Sequence, residues 1–259
     1  MHWKIALSMS SMMVQVFVSF IIFLTILVSK GNARPKPDPY AGGVSIIIIN
    51  GGYDTIWPAV HTERGHRVVP SGVKLESEEQ YELKIPDTWA GTIWARTGCS
   101  GNPHSSFHCA IGDCGTNNIH CHYSKPTPPV TQVKFDLVPK GGSSSYKVDF
   151  KDGFSVPVTL TPCESKCEKI MCITNLDDEC PDWLAVYSNE GRKIGCKSPC
   201  YTTREPKDCC TGEYASPEMC ALNEYTDLLD KKCPSVVSNA FDETHFTCFE
   251  GTSFYILFN

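Results

Sequence analysis

The chain has 259 residues, enough for one large domain or two ordinary ones with a sizeable core. Charged side chains make up 20%, aromatics 10% and hydrophobics 41%, which excludes a wholly disordered or collagen-like chain. Lys and Arg number 23 against 29 Asp and Glu, and the net charge of −6 argues against nucleic acid as a partner.

The apolar run Val14–Val28 follows Lys4 and precedes Gly31-Asn32-Ala33, whose small residues suit a cleavage site. Residues 1–33 therefore read as a secretory signal peptide. An uncleaved anchor is the alternative, although the run is shorter than the roughly 20 apolar residues a membrane span needs. Removing residues 1–33 takes away Lys4 and Lys30 and leaves 21 basic against 29 acidic side chains, a net charge of −8. Residues 34–43, rich in Pro, form a stiff extended lead-in.

Strand signals follow. Residues 44–50 (VSIIIIN) are β-branched, bounded by glycine pairs, and predict a strand buried on both faces. Residues 81–85 alternate apolar and polar. So do Val133, Phe135 and Leu137 against Lys134 and Asp136, and Tyr146, Val148 and Phe150 against Lys147 and Asp149. Residues 254–258 (FYILF) close the series as a further buried run. Period-two patterning with intervening turns predicts an antiparallel β-sandwich built from 44–96, 134–173 and 234–259. Residues 97–133 form a small disulfide loop region. Residues 174–233 form a cystine-rich region with a short helix around Leu222–Leu229.

All 15 cysteines lie between Cys99 and Cys248, which signals a disulfide framework and an oxidising compartment. The motifs Trp94-Ala-Arg-Thr-Gly-Cys99, Gly112-Asp-Cys-Gly115, Asp152-Gly-Phe-Ser-Val-Pro157, Cys196-Lys-Ser-Pro-Cys200, Cys209-Cys-Thr-Gly212 and Phe246-Thr-Cys248 then carry a resemblance. Over Val44–Asn259 the chain resembles the thaumatin-like family, also called the osmotin or pathogenesis-related group five. Ser105 and Ile111 depart from the family pattern in a loop. The resemblance implies the disulfides Cys99–Cys109, Cys114–Cys121, Cys167–Cys248, Cys172–Cys233, Cys180–Cys196, Cys200–Cys209 and Cys210–Cys220. An eighth family bridge is missing, because Gly52 and Asn259 occupy its two positions. Cys163 is left over as a free thiol. A buried, inert thiol beside the Val156–Leu160 strand is expected, with an intermolecular bridge as the alternative.

The resemblance also implies a ligand cleft lined by one Arg, one Glu and three Asp. Its positions fall here on Thr92, Lys134, Lys147, Asp152 and Asp242, so a family set of net charge −3 becomes neutral. The two lysines are expected to pair with Asp152 and Asp242. Weak β-1,3-glucanase activity, ascribed to some relatives, needs an acid and a second carboxylate about the scissile bond. With lysine at the first two acidic positions, no catalytic residue is expected and the chain does not read as an enzyme.

His104, His108, His120 and His122 lie among Cys109, Cys114 and Cys121 and superficially suggest zinc, but oxidised sulfur does not ligate zinc. Exposed loop histidines are expected, with no metal and no cofactor. Trp57, Trp89 and Trp94 are candidates either for stacking on sugar rings or for the core. No Asn-x-Ser/Thr sequon occurs. By resemblance the chain is a secreted (extracellular or vacuolar), monomeric defence protein. It binds fungal wall β-glucan or perturbs fungal membranes. The alternatives are an inhibitor or receptor-ligand module acting on a fungal surface protein, and a weak endo-β-1,3-glucanase.

Overall fold

The computed structural model describes residues 43–138, 141–174 and 179–259. The expected leader, 1–33, and all of the lead-in except Gly43 lie outside the described residues. None of the described helices is long and apolar enough to cross a membrane.

Fourteen strands are described: β1 (Val44–Asn50), β2 (Trp57–Arg64), β3 (Gln80–Ile85), β4 (Ala90–Ser100), β5 (His108–Ile111), β6 (Gln132–Asp136), β7 (Ser143–Asp149), β8 (Gly153–Phe154), β9 (Val158–Pro162), β10 (Ile170–Cys172), β11 (Ala185–Tyr187), β12 (Lys193–Lys197), β13 (Phe246–Phe249) and β14 (Phe254–Phe258). One sheet runs β10-β9-β14-β1-β3, and a second runs β13-β7-β6-β4-β2 with β5 paired to β4. The inward rows predicted by alternation meet between them: Ile46, Ile48 and Leu160 on one side, Ile93, Val133 and Val148 on the other. Phe254 bridges the layers, edge-on to Phe135 at 5.0 Å and to Tyr146 at 5.2 Å between ring centroids. Burying such rings contributes about 1.5–3 kcal/mol each, so this interleaf supplies much of the fold's stability.

Among the described strand pairs the sandwich is antiparallel with one exception. β1 and β14 run parallel, from Ile46 opposite Phe254 to Asn50 opposite Phe258. Neither strand is buried on both faces as expected. Ile47, Ile49 and Leu257 are half-buried and Tyr255 is exposed, because the outer face of this sheet is only partly covered.

Among the described residues the cystine-rich region carries a small sheet, β11-β12-β8, a 3-10 turn at Gly212–Tyr214, and the α-helices α1 (Pro199–Thr203), α2 (Pro206–Cys209) and α3 (Glu224–Lys232). α3 starts two residues later than expected because Asn223 caps it. The Asn223 side chain accepts from the N–H of Tyr225 and Thr226, and the Thr226 hydroxyl accepts from the Asn223 N–H. β8 docks on β12 only because residue 153 is glycine: a Cβ there would lie 2.4 Å from the Cys196 carbonyl, at φ +125°.

Seven disulfides join Cys99–Cys109, Cys114–Cys121, Cys167–Cys248, Cys172–Cys233, Cys180–Cys196, Cys200–Cys209 and Cys210–Cys220. Cys163 is free but exposed, not buried. It shares the parity of Thr159 and Thr161, which face away from the inward Val158 and Leu160.

Candidate functional site

Strand register assembles three of the expected cleft residues. Thr92 of β4 pairs with Lys134 of β6, and Lys134 pairs with Lys147 of β7. His61 of β2 extends the row by pairing with Thr92. These side chains share the face of the six-stranded sheet opposite the core, since each lies between inward-facing neighbours. Two lysines directly opposite one another repel. Lys134 resolves this by reaching diagonally along β7, where its Nζ lies 2.6 Å from Asp149 Oδ2. Lys147 makes no ion pair among the described residues.

Asp149 is the residue that alternation hid. The pattern puts it on a polar face, yet its side chain is 4% exposed and that of Lys134 28%. Cover comes from far along the chain: Val237 bridges to Asp149, donating to the Val148 carbonyl and accepting from the Phe150 N–H. The second carboxylate oxygen of Asp149 accepts the Lys151 N–H at 2.9 Å. With Asp149 counted, the cleft set is net −1 rather than neutral.

The expected partners of the lysines lie elsewhere. Asp152 lines a cavity of about 260 Å³ together with Ser198 and Tyr225. Burial first, then the nearby Asp149 and Asp152, raises the Tyr225 phenol well above its ordinary value. Asp242 closes its own loop: Oδ2 accepts from the Ser238 N–H at 2.8 Å and Oδ1 from the Thr244 N–H at 2.9 Å. Burial pushes Asp242 up, but the hydrogen bonds from Thr244 and Ser238 outweigh it and hold the carboxyl below its ordinary value. Neither aspartate forms an ion pair with Lys134 or Lys147, because each is held within the cystine-rich side of the molecule.

The other candidates separate cleanly. Trp89 and Trp94 are fully buried, donating to Thr62 Oγ1 at 3.0 Å and the Gly112 carbonyl at 2.8 Å, so neither presents a face to a sugar. Trp57 is half-buried. His104, His108 and His122 are exposed, whereas His120 is half-buried. The described residues hold no cluster of three or more His, Cys, Asp or Glu suited to a metal ion. Sequence reasoning also missed a groove of about 660 Å³ between the 50–55 loop and the β11–β12 hairpin, lined by Tyr53, Trp57 and Tyr187.

The architecture is a disulfide-stapled, two-layer β-sandwich with polar clusters on its outer sheet face and in its cystine-rich region. The model of the Thaumatin family matches residues 50–259, and the chain belongs to that family. It is 33% identical over 210 residues to "Thaumatin-like protein 1" of Pyrus pyrifolia, covering 79% of this chain and 86% of that one. It is 32% identical over 208 residues to a protein of Prunus avium named "Glucan endo-1,3-beta-glucosidase", covering 78% and 85%. In fold it is similar to a GH family 64 laminaripentaose-producing β-1,3-glucanase of Paenibacillus barengoltzii, with TM-score 0.52, 11% identity, and 89% and 78% covered.

Proposed function

We propose that this chain is a secreted, non-catalytic defence protein that binds fungal wall polysaccharide, a β-glucan in the first instance, through the sheet face carrying Thr92, Lys134 and Lys147. The observation that supports this reading is the Lys134–Asp149 pair, which puts a lysine in the row and engages the carboxylate beside it. Glycoside hydrolysis needs two carboxyl groups about 5–10 Å apart across the bond, one holding a proton. Neither lysine supplies one, and Asp149 is committed to the ion pair. Hydroxyl donors and acceptors around a partly covered ion pair suit reversible binding of a polyol. Membrane perturbation and action on a fungal surface protein are the competing readings.

The test is a pull-down of the mature, disulfide-intact protein on insoluble β-1,3-glucan, cellulose, xylan and chitin, paired with reducing-sugar release from soluble β-1,3-glucan. Retention on glucan without sugar release is expected. Sugar release abolished by Asp152→Asn or Asp242→Asn would establish the hydrolase instead. Retention on none of the polymers would favour a protein or membrane target.

A further inference from the structure

We propose that the groove between the 50–55 loop and the β11–β12 hairpin is a separate glycan site, in which Tyr53 and Tyr187 stack on the rings of an uncharged oligosaccharide. It shares a ligand class with the reading above but none of its residues. The volume, about 660 Å³, falls in the range that encloses a ligand of several rings. Tyr53 is fully exposed, and Tyr187 is 47% exposed. The Tyr187 hydroxyl is turned aside to Asp182 Oδ1 at 3.1 Å, which leaves its ring as the available surface.

Both walls are built rather than loose. On one side Asn50, almost fully buried, donates its amide to the Asp54 and Leu75 carbonyls at 2.9 and 3.1 Å and accepts the Gly52 N–H at 3.1 Å. Ser77 Oγ donates to the Gly52 carbonyl at 2.7 Å. On the other side the Ser188 hydroxyl accepts the N–H groups of Glu190 and Arg192 at 3.3 and 3.2 Å. The backbone that carries both tyrosines is thus held in place, and a tyrosine side chain has few rotatable bonds to order on binding.

Charge selects the ligand. The charged side chains of the lining are Asp54 and Glu190 against Arg192 and Lys193, a balance of zero among side chains. Arg192 lies 3.7 Å from Asp54 across the groove and 3.6 Å from Glu190 on its own hairpin, and Lys193 lies 3.0 Å from Asp182, so each of the two cations has a carboxylate beside it. Neither a polyanion nor a cationic peptide gains from such a field. Aromatic faces beside hydroxyl and amide groups, with no net charge, match a pyranose, which presents apolar C–H faces and hydroxyl edges.

The experiment titrates pentasaccharides of β-1,3-linked glucose, β-1,4-linked glucose, β-1,4-linked xylose and β-1,4-linked N-acetylglucosamine into the mature protein. Four proteins are compared: the unchanged chain, Tyr53→Ala with Tyr187→Ala, Tyr53→Phe with Tyr187→Phe, and Lys147→Glu. We expect one pentasaccharide to bind, to protect Tyr53 and Tyr187 from chemical modification, and to lose at least about tenfold in affinity in the Ala pair with no change in Tm. The Phe pair should retain most of the affinity, since the ring and not the hydroxyl makes the contact. Equal binding by the Ala pair, with both tyrosines unprotected, would overturn the groove and leave the sheet-face reading standing. Loss in the Ala pair with no response to Lys147→Glu would establish the groove and remove the sheet face. Binding of no pentasaccharide would overturn the inference.

Discussion

Lys134→Gln tests the ion pair on which the sheet-face reading depends. The change removes the cation 2.6 Å from Asp149 Oδ2 and leaves a carboxylate, 4% exposed, with the Lys151 amide as its remaining hydrogen-bond donor. Breaking a fully buried pair costs about 3–5 kcal/mol, because the surviving charge is left without compensation. The Lys134 end is 28% exposed, so water replaces part of the lost interaction and the expected cost falls to about 2–3 kcal/mol. For a domain of this size that lowers Tm by roughly 4–12 °C. Asp149→Asn should cost less, since an amide is cheaper to bury than a lone ion. The double variant should therefore recover part of the loss, with a coupling energy of about 1–2 kcal/mol. Lys134→Glu should be worse than Lys134→Gln, as it sets two carboxylates against each other. Thermal and guanidinium unfolding of the four corners of the cycle, disulfides intact, gives the number. A Lys134→Gln effect within about 0.5 kcal/mol of zero, or no coupling, refutes the reasoning.

Iodoacetamide added to the native protein should label Cys163 and no other cysteine, without denaturant; labelling only after unfolding would show that the thiol is covered. Gly52→Cys with Asn259→Cys should close a new bridge, because a Cβ on residue 52 would lie 3.8 Å from Asn259 Cα. Since Cys167–Cys248 already shortens the loop, the covalent path is roughly 110–130 residues and the bridge is worth about 4–5 kcal/mol; a gain in Tm below about 2 °C would contradict this. Acid should destabilise in two stages. Burial, then cationic neighbours (Lys125 for His61, and His122 first among those of His120), holds both histidines below their ordinary value of 6.5. The unfolded chain therefore takes up protons first, and stability present above pH 6.5 is lost as pH falls through that value to the folded one. Asp242 is held below 3.8, so its contribution persists to lower pH and disappears only there. Unfolding free energy measured from pH 8 to pH 3 checks both stages, and His120→Gln should shrink the first.

The legible parts of the fold were those that a local pattern specifies. Alternation at Val133–Leu137 and Tyr146–Phe150 located β6, β7 and their inward faces, because a half-buried sheet shows period two directly. The run Ile46–Ile49 has no alternation, so it could not reveal that Ile47 and Ile49 are only half covered. Nothing local announces that β1 runs parallel to β14 more than 200 residues away. Asp149 was misplaced for a related reason: its own strand makes it polar-facing, and the cover arrives from Val237. Cys163, expected buried, is exposed, and counting by two from Val158 and Leu160 accounts for its outward turn. The groove was not readable, because its lining is gathered from loops and strands spread between Asn50 and Asn259.

The same local geometry bears on whether the remaining aspartates could act as a catalytic pair. A general acid must hold its proton near the working pH, which requires an environment that raises a carboxyl's pKa. Asp242 has the opposite environment: both oxygens accept hydrogen bonds from Ser238 and Thr244, and the carboxyl is held down. Spending it as an acid would unravel the loop it caps. That leaves Asp152, whose cavity with Ser198 and Tyr225 is lined by one other carboxylate, Asp208. Asp208 in turn accepts from the Thr203 hydroxyl at 2.6 Å, which tethers it to α1. Asp149, Asp208 and Asp242 are thus already employed in holding an ion pair, a helix and a turn.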